Sequence, residues 1–167
     1  GRAARRETPG PTGTRMADVV APVKTTRTGD ATREAPLAEW ELTALWLLGR
    51  VPEASLPWPV LRHGRAGRGP GPDVREATFI RGGVPVTGDV EVHLLASDFE
   101  RHGHLADPGY ANVLLHFVWL DDRAPESVGT PQTLPLGGSA PTIAVGPLLA
   151  GRPRRVRALL AQGPSGR

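Results

Sequence analysis

The run Gly88-Asp89-Val90-Glu91-Val92-His93 has the residue types and spacing that chemistry needs. Side chains alternate across a β-strand, so Asp89, Glu91 and His93 are expected on one face and Val90, Val92 and Leu94 on the other. Three ligand-type groups on one face are costly to bury unless they are paired or hold a metal. An ordinary strand with its polar side in water has the same alternation, so spacing alone leaves both readings open. Asp73 sharpens the case. It follows Pro72 at the mouth of the preceding strand, where a hairpin brings it towards Glu91. Two converging carboxylates make a hard-oxygen site suited to Mg²⁺ or Mn²⁺. Such an ion activates water and stabilises charge on a phosphoryl group. Glu39 or Glu41, on the helix ahead of these strands, is a candidate third carboxylate, and Glu41 is placed in the metal set with Asp73 and Glu91. The other reading of both is a solvated helix face.

The remaining histidines form a second set. His102 and His104 stand two apart in Arg101-His102-Gly103-His104, with Asp107 just beyond and His116 in the next apolar run. Together with His93 or Asp107 they offer Zn²⁺ ligands, although this spacing is no recognised zinc signature, and Zn²⁺ ranks behind Mg²⁺ or Mn²⁺. His102 or His104 is equally a candidate general acid or base, since imidazole titrates near neutrality. His116 sits among Leu114 and Val118, where a satisfied core histidine is the plainer reading.

Several chemistries are excluded. There are no cysteines, hence no disulfides, thiolate metal sites or cysteine nucleophile. No glycine-rich phosphate loop ends in Lys-Ser/Thr, no Gly-x-Gly-x-x-Gly opens a helix, and no serine sits in a nucleophile elbow. Aromatic residues are 5% of the chain, which gives little for a base-stacking platform. No run approaches the ~20 apolar residues of a membrane span, and no secretory signal is visible, so a cytoplasmic location without membrane contact is expected. Nineteen of the twenty basic residues are arginine, and the one lysine is Lys24. Charge is unevenly spread: residues 1–36 are net +3, residues 37–150 net −5 and residues 151–167 net +5. An acidic centre is one that bound metal can balance, and Arg-rich ends suit phosphate contact, while the plainer reading of the arginine excess is codon bias in a GC-rich genome.

The elements that must position these groups follow from periodicity. Gly and Pro, 21 and 18 of 167 residues, make up almost a quarter of the chain, which points to a folded core with loose ends. Residues 1–36 are too poor in apolar side chains to offset chain entropy and are expected to be a disordered tail. The core is expected over 37–122. Leu37, Trp40, Leu45 and Leu48 recur at helical spacing, with Gly49 as the stop. Residues 58–64 form a brief strand candidate. Residues 74–80 and 84–96 read as strands joined at Arg81-Gly82-Gly83, a hairpin. A short helix or turn follows over 97–113, then a buried strand over 113–120. Residues 123–167 read as an extended or partly ordered segment, with structure suggested only at 142–150 and a basic helix at 153–162.

Taken together, LAEWELTALW (37–46), GPGPDVREATF (69–79) and GDVEVHLLASDFERHGHLADPGYANVLLHFVW (88–119) resemble an uncharacterised bacterial family, domain of unknown function 2851. The resemblance covers about residues 37–150 and implies that the chain is the N-terminal part of a longer protein. It supplies no activity. The element order is also similar to the PD-(D/E)XK nuclease-like fold, which implies an α/β (α+β) class with a small mixed sheet, flanking helices and a restriction-endonuclease-like core. Pro72-Asp73 matches the Pro-Asp piece, and Glu91-Val92-His93 stands where Glu-x-Lys belongs. The resemblance then implies a metal-dependent phosphodiesterase acting on nucleic acid, with Asp73 and Glu91 on the metal and His93 positioning water. His93 in the lysine position equally fits a catalytically inactive module that binds nucleic acid or a protein partner.

Overall fold

The computed structural model describes residues 34–163. The tail expected over 1–36 therefore lies, up to residue 33, outside the described residues, as do residues 164–167. A helix, α1 (Glu39–Leu47), opens the described part, and two short strands follow, β1 (Val60–Arg62) and β2 (Arg65–Ala66). The expected hairpin comes next: β3 (Val74–Arg81) and β4 (Val84–Leu95) pair antiparallel. Their two-residue connection, Gly82-Gly83, has φ of 57° and 81°, the left-handed pair that a tight hairpin turn requires and glycine supplies without strain. After β4 come the single-turn helix α2 (Asp98–Arg101) and two 3₁₀ turns (His104–Ala106, Pro108–Tyr110), then β5 (Val113–Leu120).

The main sheet is mixed, in the order β1-β3-β4-β5 and then β8 (Thr142–Ala144), with β2 also on β3. Before β8, strands β6 (Gln132–Thr133) and β7 (Ser139–Ala140) form a separate small pair. β5 runs parallel to both β4 and β8. The crossover from β4 to β5 carries α2 and both turns, as parallel neighbours demand a connection longer than a hairpin. The described residues thus form a mixed α+β fold with a small mixed sheet and three α-helices.

The folded unit runs on beyond the boundary expected at residue 122. β8 extends the sheet, and α3 (Pro153–Leu160) lays fully buried Val156 into the core. Arg157 of α3 fixes it to α1, donating from Nε to Glu41 Oε1 at 2.7 Å and from Nη2 to the Pro36 carbonyl. The core on this side of the sheet contains Leu42, Leu45 and Trp46 of α1, Val74 and Phe79 of β3, Val90 and Val92 of β4, and Leu115 and Phe117 of β5. Trp46 is tied by its indole N–H to the His63 carbonyl at 2.9 Å. The helix stripe differs from the expected one: Trp40 and Leu48 are exposed, at 69% and 55%, while Leu42 and Trp46 are buried. Helix α1 ends at Leu47, so Leu48 lies past its last turn.

The opposite side of β4 and β5 is covered as well. Phe99, Tyr110, Val113, Leu134 and Ala140 form a second apolar cluster there. With both faces of the central strands buried, the polar side of β4 does not face water, and Glu91 and His93 are only 3% and 2% exposed.

Candidate functional site: a carboxylate–histidine cluster

The expected alternation of β4 holds: Val90 and Val92 enter the main core, and Glu91 and His93 project the other way. Asp73 lies one residue before β3, and backbone and side chain interlock across the hairpin. The Asp73 N–H donates to Glu91 Oε2 at 3.2 Å, and the Val92 N–H donates to Asp73 Oδ2 at 3.1 Å. Each carboxylate is thus held by the neighbouring strand's backbone, and neither has an arginine or lysine ion pair among the described residues. A β-bulge between Val74 and Ala77 immediately follows, with Glu76 at φ 61°. Bulges bend the strand and re-aim side chains, and they recur beside functional sites.

His93 lies deep in the cluster. Its Nε2 faces Glu91 Oε1 at 3.4 Å, and its Nδ1 is 3.0 Å from His116 Nε2 on β5. The β4–β5 register sets His93 opposite Val118, with Glu91 opposite His116. His116 is fully buried, and its Nδ1 lies 3.5 Å from the Thr142 hydroxyl on β8. His104 approaches from the crossover, with Nε2 3.3 Å from the same Glu91 oxygen. The His102 ring stands 5.1 Å from that of His93, and the His104 ring 5.3 Å, stacked. Gly103, at φ 78°, makes the left-handed turn that lets both flanking histidines reach one ring. Phe99 meets His93, His104 and His116 edge-on, and Tyr110 stacks on His104 with centroids 3.9 Å apart.

This crowding changes the protonation of the groups. Burial, reinforced by the Asp73 charge, pushes the Glu91 carboxyl up to about 9. Asp73 is raised too, chiefly by burial, with the charge of Glu39 adding to it. Burial and the neighbouring histidines hold His93 down at about 3, and burial does the same for His116. His104 is lowered for the same reason, and the Tyr110 hydroxyl is raised to about 12 by burial and by Glu91, Asp107 and Asp73. The cluster therefore favours neutral imidazoles at His93, His104 and His116 and a protonated Glu91. Neutral imidazole nitrogens are metal-ligand donors, and a carboxyl becomes one on losing its proton.

The other expected ligands are placed elsewhere. Glu41 does not join Asp73 and Glu91: Arg157 holds it from α3, and its Oε2 takes the Ala38 N–H at the start of α1. The guanidinium keeps the Glu41 carboxyl below its ordinary value. The helix carboxylate whose charge reaches both Asp73 and Glu91 is Glu39. Asp89 is consumed by the bulge, accepting from the Glu76 N–H at 3.1 Å and from Arg75 at 3.3 Å. Asp107 is exposed and caps the turn Pro108–Tyr110 through the Gly109 N–H at 2.8 Å. Sequence reasoning missed Tyr110 and Phe99 as walls of the cluster. The only signal for Tyr110 was the Asp-Pro-Gly turn that presents it, which has no chemistry of its own.

Fold and site together define a mixed α+β protein whose hairpin and parallel crossover enclose two carboxylates and four histidines. Residues 53–135 match the family model described as "Protein of unknown function (DUF2851)". The match spans Asp73, Glu91, His93, His102, His104 and His116. Searches of curated proteins and of solved structures each returned no significant match. Among the described residues, no helix is long and apolar enough to cross a membrane.

Proposed function

We propose that this protein is a metal-dependent phosphodiesterase of nuclease type, acting on nucleic acid in the cytoplasm. One observation carries the reading. Asp73 and Glu91 come together at the open end of the β3–β4 hairpin, interlocked by backbone hydrogen bonds and without a cationic side-chain partner beyond histidine. Carboxylates in that condition are ligands for Mg²⁺ or Mn²⁺, and Glu39 on α1 adds negative charge to the same point. The arrangement of helix carboxylate, Pro-Asp and Glu-x-His agrees with the active-site order of PD-(D/E)XK nucleases. Asp73 and Glu91 would hold the ion and His93 would position water beside it; such an ion, when bound, would activate water and stabilise charge on a phosphoryl group.

The test is hydrolysis of end-labelled single- and double-stranded DNA and RNA in the presence of Mn²⁺ or Mg²⁺. Cleavage that Asp73→Ala abolishes supports the reading, whereas equal behaviour of wild type and variant ends it. A second reading, a nuclease-fold module that binds without cleaving, is favoured by one observation. His93 stands in the lysine position and is already engaged by His116 and Glu91. Salt-sensitive binding of nucleic acid with no cleavage under any divalent metal would favour it.

A further inference from the structure

The side of Glu91 that faces away from Asp73 has a different chemistry. Oε2 is turned to the Asp73 N–H, while Oε1 is 3.4 Å from His93 Nε2 and 3.3 Å from His104 Nε2. One ligand atom from each of His93, His102 and His104 lies within 4.8 Å of the others. Four ligands about 2.0–2.1 Å from a single tetrahedral ion stand roughly 3.3–3.4 Å from one another, so the two His–Glu91 separations already have the length of tetrahedral edges.

We infer that His93, His102, His104 and Glu91 Oε1 form a nitrogen-rich site for a four-coordinate divalent transition metal of the zinc class. Glu91 is shared between this site and Asp73. The donor set selects the ion: three imidazoles suit zinc, cobalt or iron, whereas the Asp73 side offers only oxygen. A ligating histidine is normally oriented by a partner on its other nitrogen. His93 has one, since its Nδ1 meets His116 Nε2, and His116 in turn meets Thr142. Aromatic rings hold the remaining geometry, with Tyr110 flat against His104 and Phe99 edge-on to His93 and His104. Access is from the His102 side, the exposed member of the three. Asp107 is no ligand in this account because its carboxylate caps its own turn. Any use of the ion in hydrolysis rests on the phosphodiesterase reading; its binding does not.

The experiment is a Co²⁺ titration of the chelator-stripped protein, read by visible d–d absorption, followed by displacement with Zn²⁺. One equivalent should give the intense bands of four-coordinate Co²⁺, and one equivalent of Zn²⁺ should erase them. His102→Ala changes an exposed residue, so its metal-free melting curve should match wild type while its Co²⁺ affinity falls at least roughly tenfold. His116→Gln removes the orienting partner and should weaken affinity by roughly 10- to 100-fold, the usual cost of losing such a contact. Asp73→Asn should keep the bands. Weak absorption of the six-coordinate kind, or unchanged bands in both His102→Ala and His104→Ala, overturns the site. Loss of nuclease activity in Asp73→Asn with its bands intact separates this inference from the function proposed above.

Discussion

Replacing Glu91 with glutamine should stabilise the metal-free protein at neutral and alkaline pH, although it removes a buried group at the centre of the site. In the unfolded chain this carboxyl ionises at its ordinary value of 4.5, whereas in the fold it holds its proton up to about 9. A raised carboxylate pKa means that the folded state binds the extra proton. Stability linked to Glu91 is therefore full below about 4.5, falls as pH rises through the window between the two values, and is flat above it. Each pH unit in that window removes on the order of 1.4 kcal/mol. From pH 5 to pH 8 the ceiling is about 4 kcal/mol, and relaxation of the site and entry of water reduce the realised effect to roughly half that. Glutamine has no proton to lose, and its shape meets the same partners. Its carbonyl oxygen accepts from the Asp73 N–H, and its amide donates towards the neutral Nε2 atoms of His93 and His104. Urea unfolding of both proteins with chelator present, at pH 5, 6, 7 and 8, reads the effect directly. The stability gap should be smallest at pH 5 and widen steadily to pH 8. Parallel curves across the four pH values would refute the reasoning, because they would mean that Glu91 ionises in the fold as it does in water. Added Zn²⁺ or Mn²⁺ should then raise the stability of wild type and leave Glu91→Gln nearly unmoved.

Three further outcomes follow from the same geometry. His93 and His116, both held near 3, stay neutral in the fold while the unfolded chain takes up protons below 6.5, so their part of the metal-free stability should fall as pH drops from 6.5 towards 4, opposing the gain from Glu91. The slope is on the order of 1.4 kcal/mol per pH unit for each histidine, so in the Glu91→Gln background, which lacks the opposing carboxyl, adding His116→Gln should remove about half of it in acid unfolding titrations. Glu41→Ala should lower the melting temperature by freeing Arg157 and the Ala38 N–H, yet leave metal affinity unchanged; weaker binding by calorimetry would return Glu41 to the ligand set. Trp46→Phe should cost about 2–4 kcal/mol in chemical denaturation, combining a core gap with an unpaired His63 carbonyl, and a neutral result would contradict the burial of the indole.

The elements legible in the sequence were those with strong local periodicity. The hairpin of β3 and β4, the apolar strand β5 and helix α1 all follow from spacing and turn residues. Beyond residue 122 the sequence marked structure at 142–150 and a basic helix at 153–162, where β8 and α3 lie, but not their packing, because β8 is three residues long and α3 sets three arginines around Val156. Only docking against β5 and α1 gives those segments a reason to fold. The Trp40 error has the same origin, since helical spacing allows more than one stripe and tertiary packing selects among them. At the site, Asp73, Glu91 and His93 came from alternation plus the hairpin. The pairing of His93 with His116 depends on the parallel register of β4 and β5, which nothing local encodes. Glu41 and Asp89 had the right chemistry for ligands but met arginines and backbone N–H groups first. His102 and His104 were visible as a pair, but their convergence on His93 required the left-handed turn at Gly103 within the crossover.

The central claim is that Glu91 organises a metal centre between Asp73 and the histidines. A crystal of the chain soaked in Zn²⁺ and measured on both sides of the zinc absorption edge tests it most directly. The account predicts an anomalous peak within bonding distance of Glu91 Oε1, His93 Nε2 and His104 Nε2, with His102 drawn in as the remaining ligand. No peak at this position, or one only on exposed carboxylates away from β4, would contradict it.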